Sequence, residues 1–389
     1  MDIPKSYLAK LVVAIIPVLF LSGCWDRREL NTLALVSGVG LDVASTPNRI
    51  VLTLQIIRPG EIKQPGAGAG GGGGGAASRS ATRVGSSTGE TVDQAIKNFI
   101  TQTSRCVYFP HSQIIVIGKE AAKRGIYPLL DFFIRNPQPR PTSLVIIAAG
   151  RAGDVLLCED GIEKIGAFGI ARSIKAAAEN SFTPAVTLQE LTERLMSKTA
   201  APIAPLVEIY EEKESTGKKM KRVRVKGTAV FKGDKLVGEL GLKETRGLMW
   251  VLGKVKDGVI TVPSHDGDQS LEIRHARSKV KAELKENRLL VRVEIAVESM
   301  LGDQKNSKNL ASPSGISSLE RMQANFVRSD VLAALASSRE LNADIFCFGE
   351  EFHGKYPGIW PELEARWDEL YKNIDVIVNV RSHVCDTGV

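Results

Sequence analysis

The residue of this chain best placed for covalent chemistry is Cys24, which closes the run Leu21-Ser22-Gly23-Cys24. Ahead of it stand Lys5 and Lys10, then an apolar run from Leu11 to Phe20. A short positive segment, an apolar core of about ten residues and small residues before a cut make up a secretory signal. Such a run covers roughly 15 Å of helix, about half a bilayer core, so it is too short to span. Leu-Ser-Gly-Cys has the make-up of a bacterial lipobox. In that motif the thiol, here of Cys24, takes up a diacylglyceryl group, and cleavage after Gly23 leaves it as the first residue. Each buried CH₂ contributes roughly 0.8 kcal/mol, so two long acyl chains of the palmitate class hold a protein on a membrane almost permanently. The bland alternative is an ordinary signal peptide that happens to carry a cysteine. The polar opening Trp25-Asp26 directly after the run favours the lipid-anchored, extracytoplasmic reading.

Other chemistry is thin. The five histidines, His111, His265, His275, His353 and His383, are scattered. His265-Asp266-Gly267-Asp268 has metal-capable side chains, but a calcium loop needs more oxygens and a late Glu at fixed spacing. Cys106, Cys158, Cys347 and Cys385 lie no closer than 38 residues apart, so no CxxC redox or zinc pattern exists, and sequence cannot choose a disulfide pair. Nucleophile patterns of the Ser-x-x-Lys and Gly-x-Ser-x-Gly kinds are not convincingly placed. No catalytic residue, metal site or cofactor is expected. Arg246, in Thr245-Arg246-Gly247-Leu248-Met249-Trp250, is a candidate partner contact, with helix-on-sheet packing an equally adequate account.

Composition bounds the rest. The 389 residues carry 43% hydrophobic and 24% charged side chains, as ordinary globular proteins do. Removing the two lysines and one aspartate of residues 1–23 lowers the formal charge from +7 to +6. That balance suits an anionic membrane face. Nucleic acid would need a clustered patch, whereas both signs are mixed nearly everywhere, so no nucleic-acid partner is expected. The basic run Arg274, Arg277, Lys279, Lys281, Lys285 reads as a solvated strand face, with lipid headgroups as the sharper alternative.

Hydrophobic periodicity then places the elements. Residues 31–42 and 49–57 read as strands, the second alternating. A Gly-rich loop covers 65–87; it lacks the Gly-Lys-Ser/Thr ending of a phosphate cradle. A helix capped by Thr91 follows, and β-α-β alternation continues to residue 157. Helices are expected at 168–180 and 188–198, and an extended segment at 201–209. The charged stretch 211–221 reads as a hairpin tip or domain boundary. Beyond it come hairpins at 222–240 and 254–262, long strands at 270–286 and 288–299, and a helix at 318–338. The apolar stripe of that helix is Leu319, Met322, Phe326, Leu332 and Leu335. A single helix from Trp360 to Tyr371 precedes a last strand. The expected fold is α+β and multidomain, with mixed and antiparallel sheets and packed helices. Its divisions are a signal peptide at 1–23, an N-terminal α/β region at 24–210 and a C-terminal α+β domain at 221–389.

Several segments, taken in order, carry a family resemblance. They are Gly23 to Asn31 (GCWDRRELN), Gly38 to Asp42 (GVGLD), Gly89 to Ile96 (GETVDQAI), His111-Ser112-Gln113, and Leu130-Asp131-Phe132 with Arg135. Val230 to Gly238 (VFKGDKLVG), Thr245 to Leu248 (TRGL), Asp344 to Glu350 (DIFCFGE) and the closing Arg381 to Gly388 complete the set. Together they resemble the lipoprotein C subunit of bacterial spore germinant receptors, the Ger(x)C family. The resemblance implies an acylated protein of small α/β domains on the outer side of the inner spore membrane. It also implies integral-membrane receptor subunits as partners, one of them transporter-like, a diacylglyceryl anchor, and no enzymatic activity. The Gly-rich tract departs from the family pattern. A lipoprotein solute-binding protein is the alternative of another class; it would need two similar lobes around a cleft, which the unlike halves do not suggest.

Overall fold

Leu33–Val43 forms strand β1, and nearly every side chain along it is buried, so it can lie only at the centre of a sheet covered on both faces. The computed structural model describes residues 29, 32–62, 80–158, 162–213, 217, 219–263, 267–286, 288–304, 310 and 312–386. β2 (Ile50–Ile57) returns antiparallel to β1, and β3 (Thr82–Gly89) adds as the edge strand beyond it. On the other side of β1 the sheet turns parallel: β5 (Ile114–Gly118), β6 (Leu144–Ala148) and β7 (Ile203–Lys213) follow in order. The short β4 (Cys106–Tyr108) pairs with the start of β1. The long hairpin of β8 (Lys219–Lys232) and β9 (Lys235–Leu240) closes the sheet antiparallel to β7.

Period-two alternation decides the faces. Ile115, Ile117, Val145 and Ile147 meet helices α1 (Val92–Ile100), α2 (Lys119–Arg124), α3 (Tyr127–Arg135) and α6 (Leu188–Met196). Ile114, Val116, Leu144 and Ile146 meet α4 (Ala152–Leu156) and α5 (Gly166–Glu179). Buried on both faces, β5 and β6 read as unbroken apolar runs.

The second sheet has the order β10 (Val259–Val262), β11 (Gln269–Lys285), β12 (Arg288–Gln304), β13 (Asp375–Asp386), with β12 and β13 parallel. Helices α7 (Leu242–Val251) and α8 (Pro313–Glu340) pack on its inner side, as do α9 (Phe348–Lys355), α10 (Trp360–Ala365) and α11 (Trp367–Lys372). Its outer face carries alternating exposed residues. The interior is continuous between the sheets: one apolar cluster runs from Ala34 through Trp250 to Val384.

Four expectations are corrected. Residues 82–87, read as the end of the Gly-rich loop, belong to β3, whose eight residues pair with β2 along their whole length. The chain from Lys254 to Val262 is not a hairpin; only Val259–Val262 is strand, and it pairs with β11. The tryptophan helix is broken at Arg366, although Trp360 and Trp367 still meet, with ring centroids 5.5 Å apart. In α8, Leu319 and Leu335 are buried and Met322 and Phe326 pack against the core as expected, but Leu332 is 48% exposed, and the buried face also takes in Gln323, Val327, Asp330, Ala334 and Ser338. Within the stretch 211–221, residues 211–213 pair with 219–221 as the outer end of the β7–β8 hairpin. That hairpin hydrogen-bonds onto the first sheet, so the strands after residue 221 divide between the two sheets.

Candidate functional site

Cys24 and its lipobox, Leu21, Ser22 and Gly23, lie outside the described residues, as do the tract 65–77 and His265-Asp266. Three of the remaining signature segments, those holding Asp42, Arg246 and Asp344, carry polar clamps.

The first clamp is Asp42, at the end of β1. Its two carboxylate oxygens accept from the backbone N–H groups of Ala152 and Gly153, each at 2.9 Å, and so hold the start of α4. Gly118 makes room: a Cβ there would stand 2.1 Å from Asp42 Oδ1. A cavity of about 670 Å³ opens beside this clamp, lined by Asp42, Thr46, Lys119 and Arg151 among others. It sits at the carboxyl ends of the parallel strands, where open α/β sheets hold ligands. Two of its charges are committed elsewhere: Asp42 to the two amides, and Lys119 to Glu239 at 2.6 Å. Burial works against the ionised Glu239, but Lys119 and Lys226 outweigh it and hold the carboxyl below its usual range.

The second clamp contains the candidate contact residue. Arg246 donates from Nε to Asp330 on α8 at 2.6 Å, and its guanidinium lies 4.7 Å from the centre of the Phe326 ring. Its neighbours complete the joint. Thr245 Oγ1 hydrogen-bonds Thr228 on β8 at 3.0 Å, and a Cβ on Gly247 would fall 2.0 Å from the backbone oxygen of Asp330. Thr245-Arg246-Gly247 thus ties α7 to the first sheet on one side and to α8 on the other. Burial raises the Asp330 carboxyl despite the guanidinium beside it. Sequence reading missed Asp330 because the acid sits on the inward stripe of a helix, 84 residues from its arginine. An acid at an apolar spacing was the available signal.

A third clamp uses Asp344. Its carboxylate accepts from the Phe348 and Gly349 amides at 3.0 and 2.8 Å and caps α9, whose N-cap residue Cys347 has a left-handed backbone. Its carbonyl accepts from Ala201 N–H at 2.9 Å. Arg194 on α6 donates to the carbonyls of Ala201 and Ile345, so this corner also joins the two sheets. Asp344 is fully enclosed, and burial pushes its carboxyl up to about 6 against the pull of the Gly349 and Phe348 amides and Arg194.

The other signatures are local. Thr91 accepts from Gln94 N–H, as the sequence predicted of a cap, and Gln94 accepts from Glu90 N–H in return. Arg135 donates to Asp131 one turn earlier on α3. Ser112 lies buried, and its carbonyl takes the Ser143 hydroxyl. Cys106, Cys158, Cys347 and Cys385 are all free thiols. Burial pushes the Cys158 and Cys347 thiols up to about 11, as expected of small buried hydrophobes rather than nucleophiles. Among the described residues no group of three His, Cys, Asp or Glu is placed to hold a metal.

Comparison with known proteins then decides the family. The Spore germination protein N-terminal domain profile matches residues 26–209, and the Spore germination B3/GerAC-like C-terminal profile matches residues 226–388. The chain belongs to the Ger(x)C family of spore germination proteins. Among Ger(x)C relatives, spore germination protein KC of Bacillus subtilis (strain 168) is 26% identical, covering 97% of this chain and 95% of that protein. Spore germination protein A3 of the same organism is also 26% identical, covering 95% and 96%. The crystal structure of the GerBC protein aligns with a TM-score of 0.57 at 18% identity, over 92% of this chain and 100% of that one. That likeness fixes the fold as the Ger(x)C one. The three clamps therefore belong to the architecture of a germination protein, and all three sit where secondary-structure layers meet.

Proposed function

We propose that the protein is a non-catalytic, lipid-anchored subunit of a nutrient germinant receptor. In this reading it is held by Cys24 on the outer side of the inner spore membrane and works beside integral-membrane receptor subunits. The observation that carries the reading is one of order. A lipobox ends at Cys24, and the two germination-family matches begin two residues later and run to residue 388. The relatives named for germination proteins A3, B3 and KC support a receptor of several subunits. The absence of enzymatic activity is part of the proposal. It draws support from the way Asp42, Asp330 and Asp344 are spent on backbone amides or an internal arginine.

Two experiments test it. Deleting the gene should abolish nutrient-triggered germination while leaving a route that bypasses nutrient recognition; a normal nutrient response would refute the proposal. Cys24→Ala should move the protein from the membrane to the soluble fraction, and a variant still fractionating with membranes would remove the anchor from the reading.

A further inference from the structure

Strands β5 and β6 lie side by side and parallel, but the chain leaves them in opposite directions. After Gly118 it turns onto one face of the sheet as α2, whose Ala121 and Ala122 join the core there. After Ala148 it turns onto the other face as α4, where Ala152 and Val155 are buried. Such a divergence opens a crevice beyond the carboxyl ends of the strands, the place where open α/β sheets take ligands. The cavity of about 670 Å³ beside Asp42 is that crevice. Lys119 and Glu120 line one wall, Ala149 to Arg151 a second, and the turn after β1 a third. Lys119 N–H donates to the Gly150 carbonyl at 3.1 Å and ties the first two walls together.

Charge in the crevice is unevenly spent. Asp42 is held by its two amides, and Glu120 by Lys123 at 2.7 Å. Lys119 and Lys226 share the single carboxylate of Glu239, at 2.6 and 2.9 Å. Arg151 is exposed and, among the described residues, makes no ion pair, even with Asp154 one turn into α4. The side-chain hydroxyls of Thr46 and Thr88, which also line the crevice, have no hydrogen-bond partner among the described residues.

We propose that this crevice binds a small hydroxylated carboxylic acid, its carboxylate on the Arg151 guanidinium and its hydroxyls on Thr46 and Thr88. The planar guanidinium fork takes a carboxylate through two parallel hydrogen bonds. Every acid of the lining is already matched, so the positive surplus is small and suits a monoanion better than a phosphate dianion. The remaining walls include Val43, Val51 and Ala149, which leaves the hydroxyls to recognise the body of the ligand. The volume is that of ordinary small-molecule sites. Binding here is independent of the lipid anchor and of any receptor partner.

Saturation-transfer NMR on the purified full chain in detergent micelles tests this, with lactate and gluconate as probes. At least one should bind with a Kd of about 1 mM or tighter. Hexanoate has the carboxylate without hydroxyls and glucose the hydroxyls without the carboxylate; each should bind roughly tenfold more weakly. Arg151→Ala should weaken hydroxy-acid binding by roughly tenfold or more. Its melting temperature should not change, because the side chain is exposed. Gly150→Leu blocks the crevice without touching its charge: a Cβ there would meet nothing within 4 Å, so the side chain has room to enter. Arg140→Ala removes an exposed arginine at the opposite end of β6 and should leave binding unaltered. The inference is overturned if neither hydroxy acid binds, or if either folded crevice variant binds as wild type does. It is equally overturned if hexanoate, glucose or inorganic phosphate binds as tightly as the hydroxy acids, or if Arg140→Ala matches Arg151→Ala.

Discussion

The two sheets are opposite answers to covering apolar backbone. The first buries β5 and β6 between helices on both faces, leaving their strands short and wholly apolar. The second covers one face only, with strands of up to 17 residues whose outer side chains are ladders of opposite charge. Lys281 meets Glu294 at 2.8 Å and Arg292 meets Glu283 at 3.2 Å. Tolerance to change should therefore differ sharply between the sheets and be least at the clamps that join layers. The basic strand also gains its meaning here: Arg274, Lys281 and Lys285 each have an acid within 4 Å, which makes a solvated, self-neutralising face.

The contrast can be broken at graded points. Gly118→Val, in the doubly covered sheet, forces a side chain against the enclosed Asp42 carboxylate. It should cost about 4 kcal/mol or prevent folding, as read from chemical denaturation. Arg246→Ala leaves Asp330 buried and unpaired and should cost about 3 kcal/mol. Removing the acid as well, in Arg246→Ala/Asp330→Ala, should recover part of that loss; a fully additive double variant would show that the pair does not act as a unit.

Asp344 makes a pH prediction. Between its ordinary 3.8 and about 6, the unfolded chain releases a proton that the folded chain keeps. Its contribution is therefore greatest at acid pH, and stability declines as pH rises across that window, by on the order of 3 kcal/mol, then levels off. Urea titrations at pH 4 and pH 7 should show the decline in wild type, on top of other titrations, and Asp344→Asn should lack this share. The smallest effect belongs to the outer face of the second sheet. A double-mutant cycle on Lys281 and Glu294 should return a coupling below about 1 kcal/mol that shrinks in salt, since both side chains are more than a third exposed.

What the sequence made legible follows the same division. Unbroken apolar runs announced β5 and β6, and alternation announced β11 and β12, because each sheet's burial pattern writes itself into residue types. β3 stayed hidden because Thr82 to Gly89 is an edge strand of Ser, Thr and Gly that follows a glycine tract, so composition outweighed pairing. Of the expected stripe of α8 only Leu332 faces outward, because the inward stripe is partly polar. Gln323, Asp330 and Ser338 are buried there and hydrogen-bonded to Ser299, Arg246 and Ala343, although Gln323 Nε2 itself has no partner among the described residues. The clamps were visible as signature segments, but their chemistry was not: Asp42 acts on amides 110 residues further along the chain. No local pattern encodes a partner so remote.

The unbroken apolar cluster from Ala34 to Val384 has a mechanical consequence. Two domains joined by a linker can swing, but two sheets sharing one interior cannot separate without wetting it. Heating should therefore melt both halves in one cooperative transition. A push applied at the start of β1 would reach β13 as displacement of a strut, with little lost to bending on the way.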